Sequence, residues 1–320
     1  MVLSPSTRLH EPTLNLETSQ KISRMLPLAS PPTLSFEYFP PKTELGLENL
    51  YSRLHSMKNM NPVWIDVTFG AGGSTTERTL EICRKALKHG LNVMMHLTCT
   101  NMRVEEVEKI LEQIKEAGIR NILALRGDPP VDSPSWKPCD GGFEHAVDLV
   151  RFIKEKYGDY FCIGVAGYPE GHADSESAEK DLEYLRDKVN AGADMIVTQL
   201  FYDVEAFFTF VEKARALGIT IPIFPGIMPI LSSSGLMRMT SMCKVRVPNF
   251  VTVAVDQVKD EDQKVREYGI HLAAEMCEAL IERGVPGIHI YTMNNEDNVR
   301  QIVKRISHLL PENHIEWISN

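Results

Sequence analysis

A single carboxyl group, Glu37, lies in an otherwise apolar run between Phe36 and Tyr38. Burial disfavours a charged carboxylate and raises its pKa, so such a group can donate a proton near neutral pH. The structural alternative is that Glu37 caps a helix or pairs with Lys42. The pattern makes Glu37 a candidate general acid and leaves that alternative open.

Polar side chains also lie in or just after other apolar runs: Asp66, Thr68, His96, Arg126, Asp128, Tyr168, His172, Gln199, His289 and Tyr291. Each has a simpler interpretation. A lone histidine in an apolar run is more often a satisfied core residue, and Asp181 with Lys188 could form a solvated ion pair. The glycine-rich stretch 70–75 lacks the Gly-Lys-Ser/Thr ending of a phosphate-binding P-loop. The tripeptide 126–128 matches an adhesion motif, but a tight turn that presents a cation and a carboxylate to a pocket fits the buried-strand pattern better.

The elements that must position these groups follow a repeated pattern. Helical segments end in glycine and continue directly into apolar runs, at Gly90, Gly118, Gly192, Gly218 and Gly284. Glycine just after a helix indicates a left-handed C-cap. The runs that follow are apolar on both faces, which is typical of parallel strands covered by helices.

Three further apolar runs, 34–39, 63–69 and 161–167, bring the predicted strands to eight, near residues 34, 63, 92, 121, 161, 194, 221 and 286. They predict an α/β fold, a (β/α)8 TIM barrel with extra helices at 232–243 and 260–283 between strands seven and eight. A doubly wound sheet is the alternative, but no G-x-G-x-x-G follows a strand. In a barrel, the polar strand ends would meet on one rim.

Composition limits the classes of function. The 320 residues carry 34 Lys and Arg against 43 Asp and Glu, a net charge of -9, which argues against general nucleic-acid binding. No apolar run reaches the roughly 18 residues that span a bilayer. The six cysteines show neither C-x-x-C pairs nor zinc-finger spacing, so we expect reduced thiols, no metal site and a cytoplasmic location. Residues 1–30 are predicted to be a flexible tail, with a short helix within 14–25, and residues 31–320 a single catalytic barrel.

Several segments, in this order, closely resemble the methylenetetrahydrofolate reductase family: SFEYFPPKTE (35–44), LRGDPP (125–130), AGYPEGH (166–172) and TQLFYD (198–203). The resemblance covers about residues 33 to 310 and looks more like the eukaryotic branch. Eukaryotic members usually carry a second, regulatory domain that binds S-adenosylmethionine. We expect no such domain within these 320 residues.

The resemblance implies a ping-pong reaction. NADH or NADPH reduces FAD, and the flavin then reduces 5,10-methylenetetrahydrofolate to 5-methyltetrahydrofolate, which feeds methionine synthesis. The implied FAD contacts are Thr68, Phe69, His96, Leu125, Arg126, Gly127, Asp128, His145, Ala146, Tyr168, His172, Ala173, Asp174, Ser175, Asp181 and Lys188. The implied catalytic residues are Glu37, the general acid, and Asp128; the implied folate contacts are Glu37, Asp128, Gln199, Tyr291 and Asn295. The expected partners are these small molecules and further copies of the chain, with no nucleic acid and no membrane.

Three positions depart from the family pattern. His145 stands where the family usually has Tyr, Asn295 where it usually has Arg, and Asp187 where bacterial members often have a basic residue. Asparagine cannot give a carboxylate a charge-assisted, bidentate contact, so Asn295 should anchor folate more weakly. Two other functions stay open: a flavin-free methyltransferase on a folate-binding barrel, and a folate-binding subunit without activity.

Overall fold

Nine parallel strands form one sheet around the centre of the protein. The computed structural model describes residues 19–26, 32–70, 75–128 and 139–314. The strands are β1 Thr33–Tyr38, β2 Trp64–Val67, β3 Val93–Thr98, β4 Asn121–Leu125, β5 Cys162–Gly167, β6 Met195–Thr198, β7 Ile223–Phe224, β8 Gly226–Ile227 and β9 Gly287–Tyr291. Their order is β7-β6-β5-β4-β3-β2-β1-β9-β8, and every pairing is parallel.

The seventh run of the barrel is divided by Pro225 into β7 and β8. β7 pairs with β6, and β8 pairs with β9. Proline has no N–H to donate to a strand ladder, which explains the interruption. The carbonyl of Pro225 still accepts a hydrogen bond from the N–H of His289, at 3.0 Å. The divided run therefore contacts both neighbours, and the predicted eight-unit barrel is confirmed.

Helix α1, Ile22–Met25, lies at one end of the barrel. The helices outside the sheet are α2 Glu44–Met57, α3 Thr76–Lys88, α4 Val104–Glu116, α5 Ala146–Tyr157, α6 Ala178–Asn190, α7 Val204–Ala216, α8 Ser233–Cys243, α9 Asn249–Val258, α10 Asp262–Glu282 and α11 Glu296–Arg305. The extra helices expected at 232–243 and 260–283 are α8 and α10. α9 was not predicted; its Val251, Val253 and Val255 are β-branched residues that favour strands.

The glycines that follow the helices adopt the expected conformation. All five lie in the left-handed region, with Gly118 at φ +75° after α4. α4 itself turns an apolar stripe inward, since Val107, Leu111 and Ile114 are fully buried in the core. These two features fix where α4 ends and which face it turns to the core.

Residues 19–26 close the end of the barrel opposite the strand carboxyl ends. Ile22 is fully buried among side chains that include Trp64, Leu123 and Phe224. Its N–H donates to Oδ1 of Asn121, the first residue of β4, at 2.8 Å. The structure thus places residues 19–26 in the barrel, inside the segment for which the sequence predicts a tail. The rest of the predicted tail, residues 1–18 and 27–30, lies outside the described residues.

Replacing Ile22 with alanine should destabilise the barrel. The change removes a fully buried side chain, which typically costs about 2–5 kcal/mol in the free energy of unfolding. Urea denaturation measures the effect. Arg24→Ala is the matched control, because the Arg24 side chain is 69% exposed and its loss should cost less than about 0.5 kcal/mol. Equal stabilities of the two variants would show that the segment does not hold the barrel closed.

Candidate active site

Four ionisable side chains meet at the centre of the barrel, near the carboxyl ends of its strands. Glu37 comes from β1, Asp66 from β2, His96 from β3 and His289 from β9. His96 Nε2 lies 3.5 Å from Glu37 Oε2 and 3.4 Å from Asp66 Oδ2. His289 Nε2 lies 3.8 Å and 3.7 Å from the same two oxygens. We call these four residues the acid cluster.

Burial differs sharply within the acid cluster. The side chains of Asp66 and His289 are fully buried, and that of His96 is 8% exposed. Glu37 keeps 20% of its side chain exposed, so it is the member that a ligand on the rim can reach. All four residues stand out in the sequence, but only Glu37 and His96 were assigned a role from it; Asp66 and His289 were given none. Strand register reveals them, because β1 places Glu37 beside Asp66 and Ser35 beside His289.

Burial and neighbouring charge act in opposite directions on His96. Burial lowers its pKa, but the hydrogen bond to Asp66 and the charges of Glu37 and Asp66 outweigh that effect, so the pKa of His96 is raised. The imidazole therefore holds a proton to higher pH than an exposed histidine does. A proton donor thus lies against the proposed acid.

Tyr291 forms the wall beside the acid cluster. Its hydroxyl donates to the carbonyl of Thr198 at 2.6 Å, and burial raises its pKa well above the usual range, helped by the charges of Glu37 and Asp66. Gly226 makes this position accessible, since a Cβ there would lie 2.3 Å from the Thr198 carbonyl oxygen and 2.7 Å from the Tyr291 hydroxyl. Tyr291 is thus a neutral group held in one place by β6 and β8.

A cleft opens on the same rim, over β4, β5 and α6. Ten residues expected to contact the cofactor line it: Leu125, Arg126, His145, Ala146, Tyr168, His172, Asp174, Ser175, Asp181 and Lys188. Five further lining residues were not predicted: Ala124, Val147, Ala166, Tyr184 and Asp187. The cleft begins beside the acid cluster, because His96 is paired with Leu123 and the next two residues of β4 line the cleft.

Lys188 is the buried cation of the cleft. Its Nζ donates to the carbonyl of Ala166 at 2.7 Å and lies 5.9 Å from the ring centre of Tyr168. Burial lowers the pKa of Lys188 to about 8, against the raising effect of Asp181. The pKa of Asp181 is itself raised by burial. The cleft thus contains a buried cation and a buried carboxyl group that interact with each other.

Arg126 and Gly127 form the turn at the edge of the cleft. Arg126 Nη2 donates to Asp174 Oδ2 at 2.6 Å, and this contact lowers the pKa of Asp174. Gly127 has φ +92°, and a Cβ there would lie 2.8 Å from Thr98 Cβ, so only glycine fits this turn. Asp128, the next residue, is exposed. The turn thus places Arg126 in the lining of the cleft, whereas Asp128 is not among the lining residues.

The other expected site residues lie elsewhere. His96 is in the acid cluster, Phe69 is 8% exposed in the core, and Thr68 bridges the strand ends through its backbone, donating to Tyr38 and accepting from Thr79. Gly127, Asp128 and Ala173 lie close to cleft residues in the chain without lining the described cleft. Gln199 Oε1 accepts from the N–H of Leu200 at 2.9 Å, which leaves its amide nitrogen for another partner.

Asn295 has a local structural role that the sequence did not reveal. It is the N-cap of α11, and its Oδ1 accepts from the N–H of Asn298 at 3.1 Å. An N-cap side chain satisfies a backbone donor that the helix itself leaves unpaired. The asparagine at this position therefore stabilises α11, whatever it contributes to folate binding.

Asn295→Arg should accordingly lower the free energy of unfolding by about 1 kcal/mol, because arginine cannot accept the capping hydrogen bond. Chemical denaturation of both proteins measures the loss. Asn295→Asp retains a capping oxygen and should be as stable as the original chain. If the arginine variant matches the aspartate variant in stability, the capping role is wrong.

The architecture is a parallel α/β barrel with acid–base groups and a cleft at the carboxyl ends of the strands, where enzymes of this fold have their active sites. The family model described as methylenetetrahydrofolate reductase matches residues 21–307. The chain is 50% identical to methylenetetrahydrofolate reductase (NADH) 1 of Zea mays over 282 residues, which are 85% of this chain and 48% of that relative. It is 37% identical to 5,10-methylenetetrahydrofolate reductase of Pectobacterium carotovorum over 82% of this chain and 86% of that relative. The chain belongs to the methylenetetrahydrofolate reductase family.

Further comparisons agree on the family and the fold. Methylenetetrahydrofolate reductase 1 of Schizosaccharomyces pombe is 47% identical over 88% of this chain and 47% of its own length. The chain thus spans about half the length of its plant and yeast relatives. An uncharacterised Clostridium thermocellum protein that binds two copies of 5-methyl-5,6,7,8-tetrahydrofolic acid shares the fold, with a TM-score of 0.61 at 13% identity, over 89% of this chain and 96% of that one. Among the described residues, no helix has the length and apolarity needed to cross a membrane.

Proposed function

We propose that this chain reduces 5,10-methylenetetrahydrofolate to 5-methyltetrahydrofolate, with NADH or NADPH as hydride donor and FAD as the bound cofactor. The observation that carries the proposal is the position of Glu37, the accessible member of a buried acid cluster whose His96 lies one strand away from the cleft. Family membership supports the substrate, and relatives named for NADH and for NADPH support a nicotinamide donor. Location in the cytoplasm and assembly into a homo-oligomer stay predictions.

The chemistry of the cleft suits FAD. Lys188, Arg126 and His172 supply positive charge or hydrogen-bond donors for a pyrophosphate, and Tyr168 and Tyr184 supply aromatic surface. The buried Lys188 is the feature that most favours an anion there. A bound flavin would supply acceptance and donation of a hydride.

The folate substrate would bind over the acid cluster. Its pterin ring has an amide-like edge that can pair with a carboxylate and a primary amide, which Asp128 and Gln199 provide. Tyr291, held neutral by its burial, forms an uncharged wall beside the acid. A carboxylate near the cofactor, such as Asp128, would also disfavour additional negative charge there and so adjust its potential.

Glu37 would protonate the departing nitrogen when the five-membered ring of the folate opens. General acid catalysis of this kind contributes about 10²–10⁴-fold in rate. The half-reaction in which NADH or NADPH gives up its hydride requires no such proton. The proposal therefore assigns Glu37 to the folate half-reaction alone.

Glu37→Gln is the variant that tests this assignment. It preserves shape and much of the hydrogen bonding but cannot deliver a proton, so the variant should fold, bind FAD and be yellow. Stopped-flow absorbance should show near-normal reduction by NADH or NADPH, and folate reduction at least about 10²-fold slower. A full folate rate in the variant would exclude Glu37 as the acid. A colourless protein after reconstitution with FAD would instead favour a flavin-free folate barrel, and pterin binding without NAD(P)H oxidation a subunit without activity.

FAD affinity should fall as the pH rises through the pKa of Lys188, about 8. An anionic pyrophosphate binds the protonated lysine, so above that pKa the free protein must take up a proton to bind. The dissociation constant should then increase by up to about tenfold per pH unit. Flavin fluorescence between about pH 7 and about pH 9.5 measures it.

Lys188→Arg is the control for this pH effect. Arginine stays charged over the whole range, so its FAD affinity should be nearly independent of pH. The proposed contact is wrong if the original chain binds FAD with the same affinity throughout, or if the arginine variant shows the same loss at high pH.

A further inference from the structure

Three members of the acid cluster have no part in the chemistry proposed so far. Asp66 and His289 are fully buried and His96 nearly so. Oxygens of Glu37 and Asp66 and a ring nitrogen of His289 all lie within 4.8 Å of one another. Buried ionisable groups without partners are costly, so such a grouping calls for a physical explanation.

The two ring nitrogens of His289 have different surroundings. Nδ1 lies 2.9 Å from the hydroxyl oxygen of Ser35, and the tautomer of the imidazole decides which of the two donates. Nε2 points toward the two carboxyl groups. Among the described residues, neither this Nε2 nor Oδ1 of Asp66 has a hydrogen-bond partner.

The arrangement is unfavourable unless the acid cluster holds additional protons. Two carboxylates with neutral imidazoles would place two like charges together in a buried site. A proton on His96, whose Nε2 lies 3.5 Å from Glu37 and 3.4 Å from Asp66, would offset that repulsion. Groups coupled this closely titrate as a set, not singly.

We propose that Asp66, His96 and His289 form a proton store that passes a proton from His96 to Glu37 after Glu37 has protonated the folate. In that step the Nε2–H bond of His96 breaks and an O–H bond forms on Glu37, and no electrons are transferred. His96 becomes neutral and later regains a proton from solvent. The inference rests on the proposed function, because it assigns the source of the acid's next proton.

Geometry favours this internal route over direct exchange with water. The exposed 20% of Glu37 faces the rim, where a bound folate would cover it. His96 contacts Glu37 from the buried side, at 3.5 Å. Proton transfer from His96, on the buried side, would allow Glu37 to be reprotonated while a ligand still occupies the rim.

Other titratable or polar side chains near the acid cluster do not supply this proton. Tyr291 donates its hydroxyl to Thr198, and burial raises its pKa. Burial also raises the pKa of the Cys83 thiol on α3, with the charge of Asp66 adding to the effect. Trp64 stacks on His289 at a centroid distance of 6.2 Å and carries no titratable proton. His96 is therefore the one described group with a raised pKa that is both near Glu37 and able to be a cation.

Asp66→Asn tests the proton store through the pH dependence of catalysis. The variant removes one of two negative charges beside His96, which should lower the pKa of that imidazole by about one unit or more. In a plot of the rate of the folate half-reaction against pH, the alkaline limb should then move to lower pH by a similar amount. Reduction by NADH or NADPH, measured on the same samples, should keep its pH profile.

Asp194→Asn is the matched control. Asp194 is a partly buried carboxylate that accepts from the N–H of Ile163 and pairs with Lys154, remote from the acid cluster. This variant should lose stability without moving the alkaline limb. An unshifted limb in Asp66→Asn, or an equal shift in both variants, would overturn the proton store.

A direct titration of the histidines keeps the test independent of folate turnover and of how well the variants fold. NMR of the FAD-loaded original chain with ¹³C-labelled histidine, with His96→Gln to assign the signal, should show His96 titrating above the usual range near 6.5. An ordinary or lowered pKa of His96, or a stoichiometric metal ion bound at the acid cluster, would overturn the inference. Failure of folate reduction in the original chain would contradict the proposed function, and the histidine titration would still decide whether the proton is stored.

Discussion

The close packing of Glu37 against the buried Asp66, His96 and His289 is the interaction on which the site depends. Two carboxyl groups and two imidazoles can share the centre of a barrel only if protons are distributed among them. That requirement keeps a proton available next to the one carboxyl group that reaches the rim. The proposed general acid, Glu37, thus has a proton donor, His96, in direct contact with it.

The barrel gives this interaction its precision. Four strands, β1, β2, β3 and β9, each contribute one member of the acid cluster, and parallel register aligns them. The division of the seventh run at Pro225, with the small Gly226 after it, leaves space for Tyr291 to reach Thr198. On the adjacent strands, the turn at Gly127 and the buried Lys188 shape a cleft that suits an anionic cofactor. Proton chemistry and the proposed cofactor site therefore share one rim but use different strands.

The glycines after helices and the apolar runs together predicted the eight units, because a left-handed C-cap and an apolar run are both local features. Glu37 could be proposed for the same reason, as a lone carboxyl in an apolar strand. The contact between Glu37 and His289 could not be predicted. It depends on the pairing of β1 with β9, in which Ser35 and His289 lie side by side although they are 254 residues apart in the chain. The capping role of Asn295 and the burial of Ile22 depend on where a helix starts and what a segment packs against. Those are three-dimensional facts that residue type alone does not specify.

The most direct test of the account is a single turnover of the FAD-reconstituted chain. The protein is reduced anaerobically with one equivalent of NADH or NADPH and then mixed with 5,10-methylenetetrahydrofolate, while flavin absorbance is recorded and the folate product is analysed. The account predicts that the oxidised flavin band returns and that 5-methyltetrahydrofolate forms in an amount equal to the flavin reoxidised. A flavin that stays reduced, or reoxidises without forming that product, would contradict it.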